Sequence, residues 1–158
     1  MNDEQLAIWA LTRIKGLGPS GIRKLIEKYG NAVSVFESAA GEGYRKSKVS
    51  QNILGQLKSG FDSDEMKSDM LDTIVEGSEV VVFTEEEYPA KLKTIFDPPP
   101  VLYSKGSLDC LDGPTVAIVG SRKPSDYGRR MARKLAEELA SAGVTIISGL
   151  AFGIDGCA

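Results

Sequence analysis

The sequence contains no histidine and only two cysteines among its 158 residues. Without an imidazole, these residues cannot form a serine–histidine catalytic pair or one of the mixed cysteine–histidine sites that commonly hold zinc. Cys110 and Cys157 do not form a Cys-x-x-Cys motif, so we expect two free thiols in a reducing cytoplasm. We predict no metal site and no cofactor.

Long apolar runs are also missing. No stretch approaches the ~20 residues that a membrane-spanning helix needs, and no apolar segment follows a basic start at the amino terminus. Hydrophobic residues at 42% and charged residues at 26% are typical of a globular protein in water. The sequence therefore predicts a cytoplasmic protein that makes no membrane contact.

Positive charge is scarce overall but concentrated in one segment. The formal net charge is −3, yet residues 120–134 carry six lysines or arginines against the single acid Asp126. Residues 62–76 show the reverse, with six acids against Lys67. Because the whole chain is slightly acidic, any binding of nucleic acid has to come from a local basic patch.

Helical spacing of apolar residues and frequent capping signals predict a small all-helical domain over residues 1–77. We expect the acids of its last helix to form a solvated surface. The first two predicted helices run from a cap at Asn2 or Asp3 to about Arg13 and from Pro19–Ser20 to Tyr29. The third runs from a cap at Asn31 through Phe36, and the fourth starts at Ser47 or Ser50 and runs past Leu57, after a loop over Gly41 to Lys48. The fifth runs from Asp64 to Val75, with Ser63 as its cap.

The turn between the first two predicted helices contains two glycines. The segment Ile14-Lys15-Gly16-Leu17-Gly18 resembles the turn of a helix-hairpin-helix element. In such an element Gly16 and Gly18 would bring backbone N–H groups close to a DNA phosphate without reading the base sequence. A structural hairpin whose glycines only permit the turn is an equally good interpretation, because one short Gly-x-Gly pattern is weak.

The second part of the chain, residues 78–158, has an α/β pattern. The expected elements are a strand over Val80–Phe83, a turn at Glu85-Glu86-Glu87, a short helix containing Leu92 and Ile95, an extended connector at Pro98-Pro99-Pro100, and strands over Val101–Tyr103, Val116–Val119 and Val144–Ile147. The last two strands are entirely apolar, as strands buried on both faces require. A helix over Gly128–Ala142, with Leu135 facing inward and Ala132 and Ala136 allowing a close approach to the sheet, would join them as a parallel βαβ unit. The fold class is therefore α/β, a small helical domain followed by a partial Rossmann-like parallel sheet.

Two glycine-rich loops follow the two apolar strands, and both should open into one crevice at the carboxyl ends of the strands. The first, Gly120 to Gly128, offers backbone N–H groups and a helix amino end, which together favour a phosphate. A dinucleotide fingerprint is excluded because Arg122 and Ser125 stand where it needs glycines, and a nucleotide triphosphate loop is excluded because Arg129 follows Gly128. We find no nucleophile with a base beside it and predict no catalytic residue.

Three ordered motifs then carry a family resemblance. Asp97–Gly106 (DPPPVLYSKG), Val116–Arg122 (VAIVGSR) with Tyr127-Gly128, and Ser148–Asp155 (SGLAFGID) resemble the DNA-processing protein A family (DprA/Smf). The resemblance implies a Rossmann-like domain that binds single-stranded DNA without cleaving it, helps to load a RecA-type recombinase during natural transformation, and forms a homodimer. By motif match, the DNA pocket would be lined by Gly120, Ser121, Arg122, Tyr127, Ser148, Gly149 and Gly153. The composition of the first loop adds Lys123 and Gly128 as phosphate contacts.

Two other functions stay open at this point. A Rossmann-like enzyme that cleaves nucleoside monophosphates would use a later glycine-rich motif with a catalytic glutamate, and no such motif is present. A fragment that binds a protein partner is the other alternative, because a sheet ending after Ile147 leaves an edge and an apolar face. For the DNA-binding function, Tyr127 or Phe152 could stack a base, while Tyr127 would serve equally well as a core residue.

Overall fold

Capped helices make up the first part of the computed structural model, which describes residues 2–41, 49–74 and 76–158. The helices in residues 2–74 are α1 (Asp3–Arg13), α2 (Pro19–Tyr29), α3 (Ala32–Ala40), α4 (Gln51–Lys58) and α5 (Ser63–Thr73). Their order confirms the helical prediction for this half. Residues 42–48 of the predicted loop, Ser47 as an alternative cap and Val75 as a helix end lie outside the described residues.

Side-chain caps set the starts of all these helices except α2, which begins at a proline after Gly18. Asn2 and Gln5 form a reciprocal capping box on α1, each side chain accepting the other residue's N–H at 2.8 Å. Ser50, one of the two predicted positions, caps α4. The predicted cap at Ser63 is wrong by one residue, because the Asp62 carboxylate accepts the N–H groups of Asp64 and Glu65 and Ser63 begins the helix.

The large apolar side chains of the helices form the core of this half. Ile8, Leu11, Ile22, Val35 and Leu57 are almost completely shielded from water and belong to one hydrophobic cluster. Burying each such side chain contributes roughly 1.5–3 kcal/mol to folding. This core continues into the segment that follows the helices, because Val82 belongs to the same cluster.

The first two strands that the sequence predicted for the α/β part pair with each other in the structure. β1 (Glu79–Val82) and β2 (Val101–Ser104) are antiparallel, with Val82 opposite Val101. Val80 packs in one cluster with Leu6, Trp9 and Met70 of the helices, because the buried face of β1 is apolar. The contacts accordingly group the chain into Met1–Ser107 and Leu108–Ala158. The domain boundary after residue 77 stays a prediction, since this grouping does not test independent folding.

Tyr88 holds the triproline connector. Its side chain is 1% exposed and its hydroxyl donates to the Pro99 carbonyl at 2.9 Å. Burial raises the pKa of the Tyr88 phenol above its ordinary value. Helix α6 (Ala90–Lys93) lies between Tyr88 and the triproline connector. It is shorter than expected, so the prediction that it contains Ile95 is wrong.

The predicted turn at Glu85-Glu86-Glu87 is present, with Glu86 and Glu87 exposed and Glu85 partly buried. Its carboxylate accepts the Val82 N–H at 2.8 Å and the Gln5 side-chain amide at 2.7 Å. Glu85 therefore ties the end of β1 to α1.

No helix in the described ranges is long and apolar enough to span a bilayer.

The unit Leu108–Ala158 contains the predicted parallel pair. β3 (Thr115–Ala117) and β4 (Thr145–Ile147) are parallel, with Val116 opposite Ile146, and α7 (Asp126–Ser141) connects them. One further bond, from Ile118 N to Ile147 O at 3.0 Å, extends the pairing toward the loops. Short 3₁₀ turns lie at Asp109–Leu111 and Asp155–Cys157.

Burial in this unit differs from the prediction. Val116 and Ile147 are 40% and 42% exposed, so the expected burial of both sheet faces is wrong for these described residues. Two strands and one helix cannot cover both faces of a sheet. Ala132 and Ala136 are the buried residues of α7, whereas Leu135 is exposed. The close helix contact through the alanines is confirmed, and the inward position of Leu135 is wrong.

The buried phenol of Tyr88 predicts a loss of stability in alkali. A raised folded-state pKa means that stability is complete below about pH 10 and falls as the pH rises through that pKa. Tyr88→Phe should remove this dependence and cost about 1 kcal/mol at pH 7, because the Pro99 carbonyl loses its donor. Urea unfolding between pH 7 and pH 11 measures both effects. Tyr127→Phe, at an exposed ring, is the control, and an identical pH dependence in wild type and Tyr88→Phe would refute the assignment.

Candidate functional site

Hydrogen bonds join the two glycine-rich loops at the carboxyl ends of β3 and β4. The Ile154 N–H donates to the Ser121 carbonyl at 3.1 Å, and the Gly120 N–H donates to the Asp155 carboxylate at 3.1 Å. The Ser148 hydroxyl lies 3.0 Å from the Ile118 carbonyl and 3.2 Å from that of Asp155, so it donates to one of them. Hydrogen bonds thus hold the two loops together at the carboxyl ends of the strands, as the parallel arrangement of the strands predicted.

Gly153 brings the backbones of the two loops into direct contact. Its φ is 98°, in the left-handed region that favours glycine, and a Cβ there would lie 2.7 Å from Arg122 Cα and closer still to the Ser121 carbonyl oxygen. Gly120 is similarly confined, since a Cβ would lie 2.8 Å from the side chain of Ile154. These two glycines permit close packing of the loops.

Several predicted phosphate donors are already used within the protein. The N–H of Gly120 bonds Asp155, the N–H of Lys123 bonds the Ser121 hydroxyl at 3.1 Å, and the N–H of Gly128 bonds the Ser125 side chain at 3.2 Å. Ser148 likewise donates to the loop backbone. These groups shape the loops, and their contact with a ligand stays a prediction. For Gly149, a Cβ would lie 3.0 Å from the Asp155 carboxylate.

The side chains left open are cationic and aromatic. Arg122 and Arg129 line a surface pocket of about 620 Å³ that the second loop also borders. Arg122 and Lys123 are exposed and form no ion pair within the described residues. Arg129 lies 3.4 Å from the Asp126 carboxylate, an exposed pair worth about 1 kcal/mol or less. An anion in the pocket could therefore recruit both arginines.

Tyr127 is 66% exposed, so its interpretation as a core residue is wrong. It lies in the first turn of α7, where Ser125 is the N-cap. The amides of Asp126 and Tyr127 have no hydrogen-bond acceptor in the described part of the chain. Open amides at a helix start, with the helix dipole behind them, favour an anion.

Sequence reasoning gave no role to two residues that the structure singles out. Asp155 accepts the Gly120 amide, and its place at the end of the SGLAFGID motif was the available signal. Leu150 has a φ of 51° and is 87% exposed, and no sequence pattern indicates either property. Within the described residues, no three cysteines or carboxylates lie close enough together to hold a metal ion.

The predicted glycine turn between α1 and α2 is present in the helical part. Gly16 has a φ of 90°, and Gly18 is the N-cap residue of α2. The neighbouring Lys15 N–H donates to the Gln56 side chain at 3.0 Å, and Gln56 returns a bond to the Lys15 carbonyl at 3.3 Å. That amide is therefore occupied by α4. DNA contact at Gly16 and Gly18 stays a prediction.

The contact at Gly153 predicts a large cost for adding one methyl group. Gly153→Ala should destabilise the protein by about 1–3 kcal/mol, because the Cβ overlaps backbone atoms and the positive φ disfavours alanine. Gly128→Ala is the matched control: its Cβ would lie no closer than 3.5 Å to another atom, and alanine favours a helix. Urea unfolding of both variants measures the difference. Equal stability of Gly153→Ala and wild type would show that the two loops are not held in contact.

Comparison with known proteins gives concordant matches. The family described as DNA recombination-mediator protein A matches residues 79–158, about half of the chain. Protein Smf of Synechocystis is 34% identical over 98% of this chain and 40% of its own length. The DNA processing protein DprA of Bacillus subtilis is 42% identical over 51% of this chain and 28% of its own length.

A solved structure matches nearly the whole chain. DNA processing protein A from Streptococcus pneumoniae aligns with a TM-score of 0.73 and 26% identity, over 99% of this chain and 53% of the other. The chain therefore spans less than two thirds of the length of these relatives. The structural match confirms the α/β fold class with its helical first part. On the family match over residues 79–158 and the agreement of these relatives, the chain belongs to the DNA recombination-mediator protein A family, the DprA/Smf family that its motifs resemble.

Proposed function

We propose that this chain binds single-stranded DNA, without cleaving it, at the pocket beside the two glycine loops. The observation that carries the proposal is the position of Arg122. Its exposed side chain lines the pocket together with Arg129. This pocket lies at the carboxyl ends of the strands, where α/β sheets bind their ligands. The family's DNA-processing relatives make a nucleic acid the expected source of the anion.

In the proposed complex the cations hold the backbone phosphates and the bonded loops keep them in place. Arg122 supplies the principal contact because it has no competing ion pair among the described residues. Arg129 joins when a phosphate displaces its exposed pair with Asp126. The open amides of Asp126 and Tyr127 add a partial positive charge at the start of α7. Lys123, exposed on the same loop, contributes to the local field.

Binding without cleavage is supported by the surroundings of the two serines. The Ser121 hydroxyl accepts the Lys123 amide, and the Ser148 hydroxyl donates to a backbone carbonyl. The sequence has no histidine to take a proton from either hydroxyl. Release of free base from a nucleoside monophosphate would instead favour the hydrolase alternative.

The wider role that we propose follows the family. A protein that holds single-stranded DNA can assist in loading a RecA-type recombinase during DNA uptake, in the cytoplasm and as a homodimer. Co-sedimentation of the chain with a recombinase on single-stranded DNA tests the first part. Because the chain spans 40% of Protein Smf of Synechocystis, recombinase loading and dimer formation are proposals about the whole protein.

The role of Arg122 predicts a change in the salt dependence of binding. Arg122→Ala should weaken binding to labelled oligothymidine several-fold and reduce the slope of log K against log salt by about 0.7, the value for one lost phosphate contact on a single strand. Fluorescence anisotropy at three salt concentrations measures affinity and slope together.

Lys67→Ala is the matched control for this experiment. It removes the same charge from an exposed position on α5, in the acidic segment of the chain. The control should leave the slope unchanged. An unchanged slope in Arg122→Ala, or an equal loss in both variants, would remove Arg122 from the site.

A further inference from the structure

We infer that an exposed face of α7 outside the pocket, formed by Arg129, Arg130 and Arg133, is a second phosphate-binding surface that holds the DNA strand after it leaves the pocket. These three residues are called the arginine face. The inference rests on the proposed function and extends it, because this surface sets how long a strand the chain contacts. Arg129 is the residue of α7 that lines the pocket, so the arginine face begins where the pocket ends.

The first observation is that the charge of this face is not compensated within the protein. Arg130 and Arg133 are exposed, and neither forms an ion pair in the parts of the chain that the structure describes. Arg129 has its exposed contact with the Asp126 carboxylate, 3.4 Å away. The arginine face therefore keeps most of its positive charge available to an anion.

The second observation is that the positions of these arginines are unfavourable for the helix itself. Arg133 follows Arg129 by four residues and Arg130 by three, so the side chains are neighbours on the helix surface. Like charges at these spacings repel one another, and the dipole at the amino end of a helix disfavours cations. The helix therefore carries the arginine face at a cost to its own stability, and a bound polyanion would offset that cost.

The third observation is the spacing and the extent of the face. Four residues of an α-helix rise by about 6 Å, a distance similar to that between successive phosphates of an extended strand. Beyond Arg133 the charge is neutralised, since Lys134 pairs with Glu138 at 3.7 Å and Glu137 is exposed. The arginine face therefore has room for at most one phosphate per arginine.

Continuity with the pocket decides which polyanion fits. Arg129 belongs to both surfaces, so an anion that is bound in the pocket reaches Arg133 only if it is a linear chain with regularly repeated negative charge. The sugar-phosphate backbone of the DNA strand has this form. An acidic protein segment is a different class of polyanion, and polyglutamate serves as its probe.

The test compares two labelled oligothymidines, a trinucleotide and a strand of about 15 nucleotides, with the full chain. On the longer strand Arg133→Ala should weaken binding several-fold and reduce the slope of log K against log salt by about 0.7, the value for one lost phosphate contact. On the trinucleotide, which the pocket holds, this variant should bind as wild type does. Arg122→Ala should weaken the binding of both lengths.

Two controls accompany this measurement. Lys67→Ala, which removes one exposed positive charge from α5, should bind both lengths as wild type does. Urea unfolding should show Arg133→Ala to be at least as stable as wild type, because the substitution removes like-charge repulsion and alanine favours a helix. Weaker binding by Arg133→Ala is then not a consequence of unfolding.

Each outcome has a distinct meaning. A loss in Arg133→Ala that is confined to the longer strand supports the inference. Equal binding of the longer strand by Arg133→Ala and wild type, or equal losses at both lengths, overturns it while the proposed function stands. Tighter binding of polyglutamate than of the longer strand by wild type also overturns it and assigns the face to an acidic protein. Failure of wild type to bind either oligothymidine overturns the proposed function and the inference with it.

Discussion

The candidate site depends on the contact between the backbone at Gly153 and that of Ser121 and Arg122. No side chain can occupy the space at Gly153, and its φ of 98° suits glycine. The bonds from Ile154 to Ser121 and from Gly120 to Asp155 hold the same two loops from either side. This contact places the guanidinium of Arg122 and the ring of Phe152 in one pocket, although 30 positions of sequence separate them.

The two units reach stability in different ways. In Met1–Ser107, large side chains such as Trp9, Ile8 and Leu57 are fully buried. Among the described residues of Leu108–Ala158, the buried apolar residues are Ala132 and Ala136. The loops of the second unit are therefore held by hydrogen bonds and close backbone contact more than by a large core. Such an arrangement leaves cations and apolar side chains open to a ligand.

Local sequence signals predicted a helix or strand well where a single local interaction determines where it lies. Asn2 and Ser50 were each one of two predicted positions for a helix cap, because a cap needs only one side chain and the next turn of backbone. The parallel pair was recognised from two apolar runs and the helix between them. The shared crevice followed from topology, since parallel strands place their carboxyl ends together.

The sequence did not predict properties that depend on partners distant in the chain. The antiparallel pairing of β1 with β2 depends on packing against α1, and apolar runs alone do not specify a partner strand. The exposure of Leu135 depends on how closely the alanines of α7 approach the sheet. The capture of the Gly120 amide by Asp155, 35 residues away, gives that glycine a structural role that no local pattern indicated, while its contact with a ligand stays a prediction.

The central claim, that single-stranded DNA binds in the pocket beside these two loops, is tested most directly by following backbone amide chemical shifts while oligothymidine is added to the isotope-labelled chain. The account predicts shifts in residues 120–129 and 148–157, whether or not the turn at Gly16 and Gly18 shifts as well. Shifts confined to that turn, or absent from both loops at saturating DNA, would contradict it.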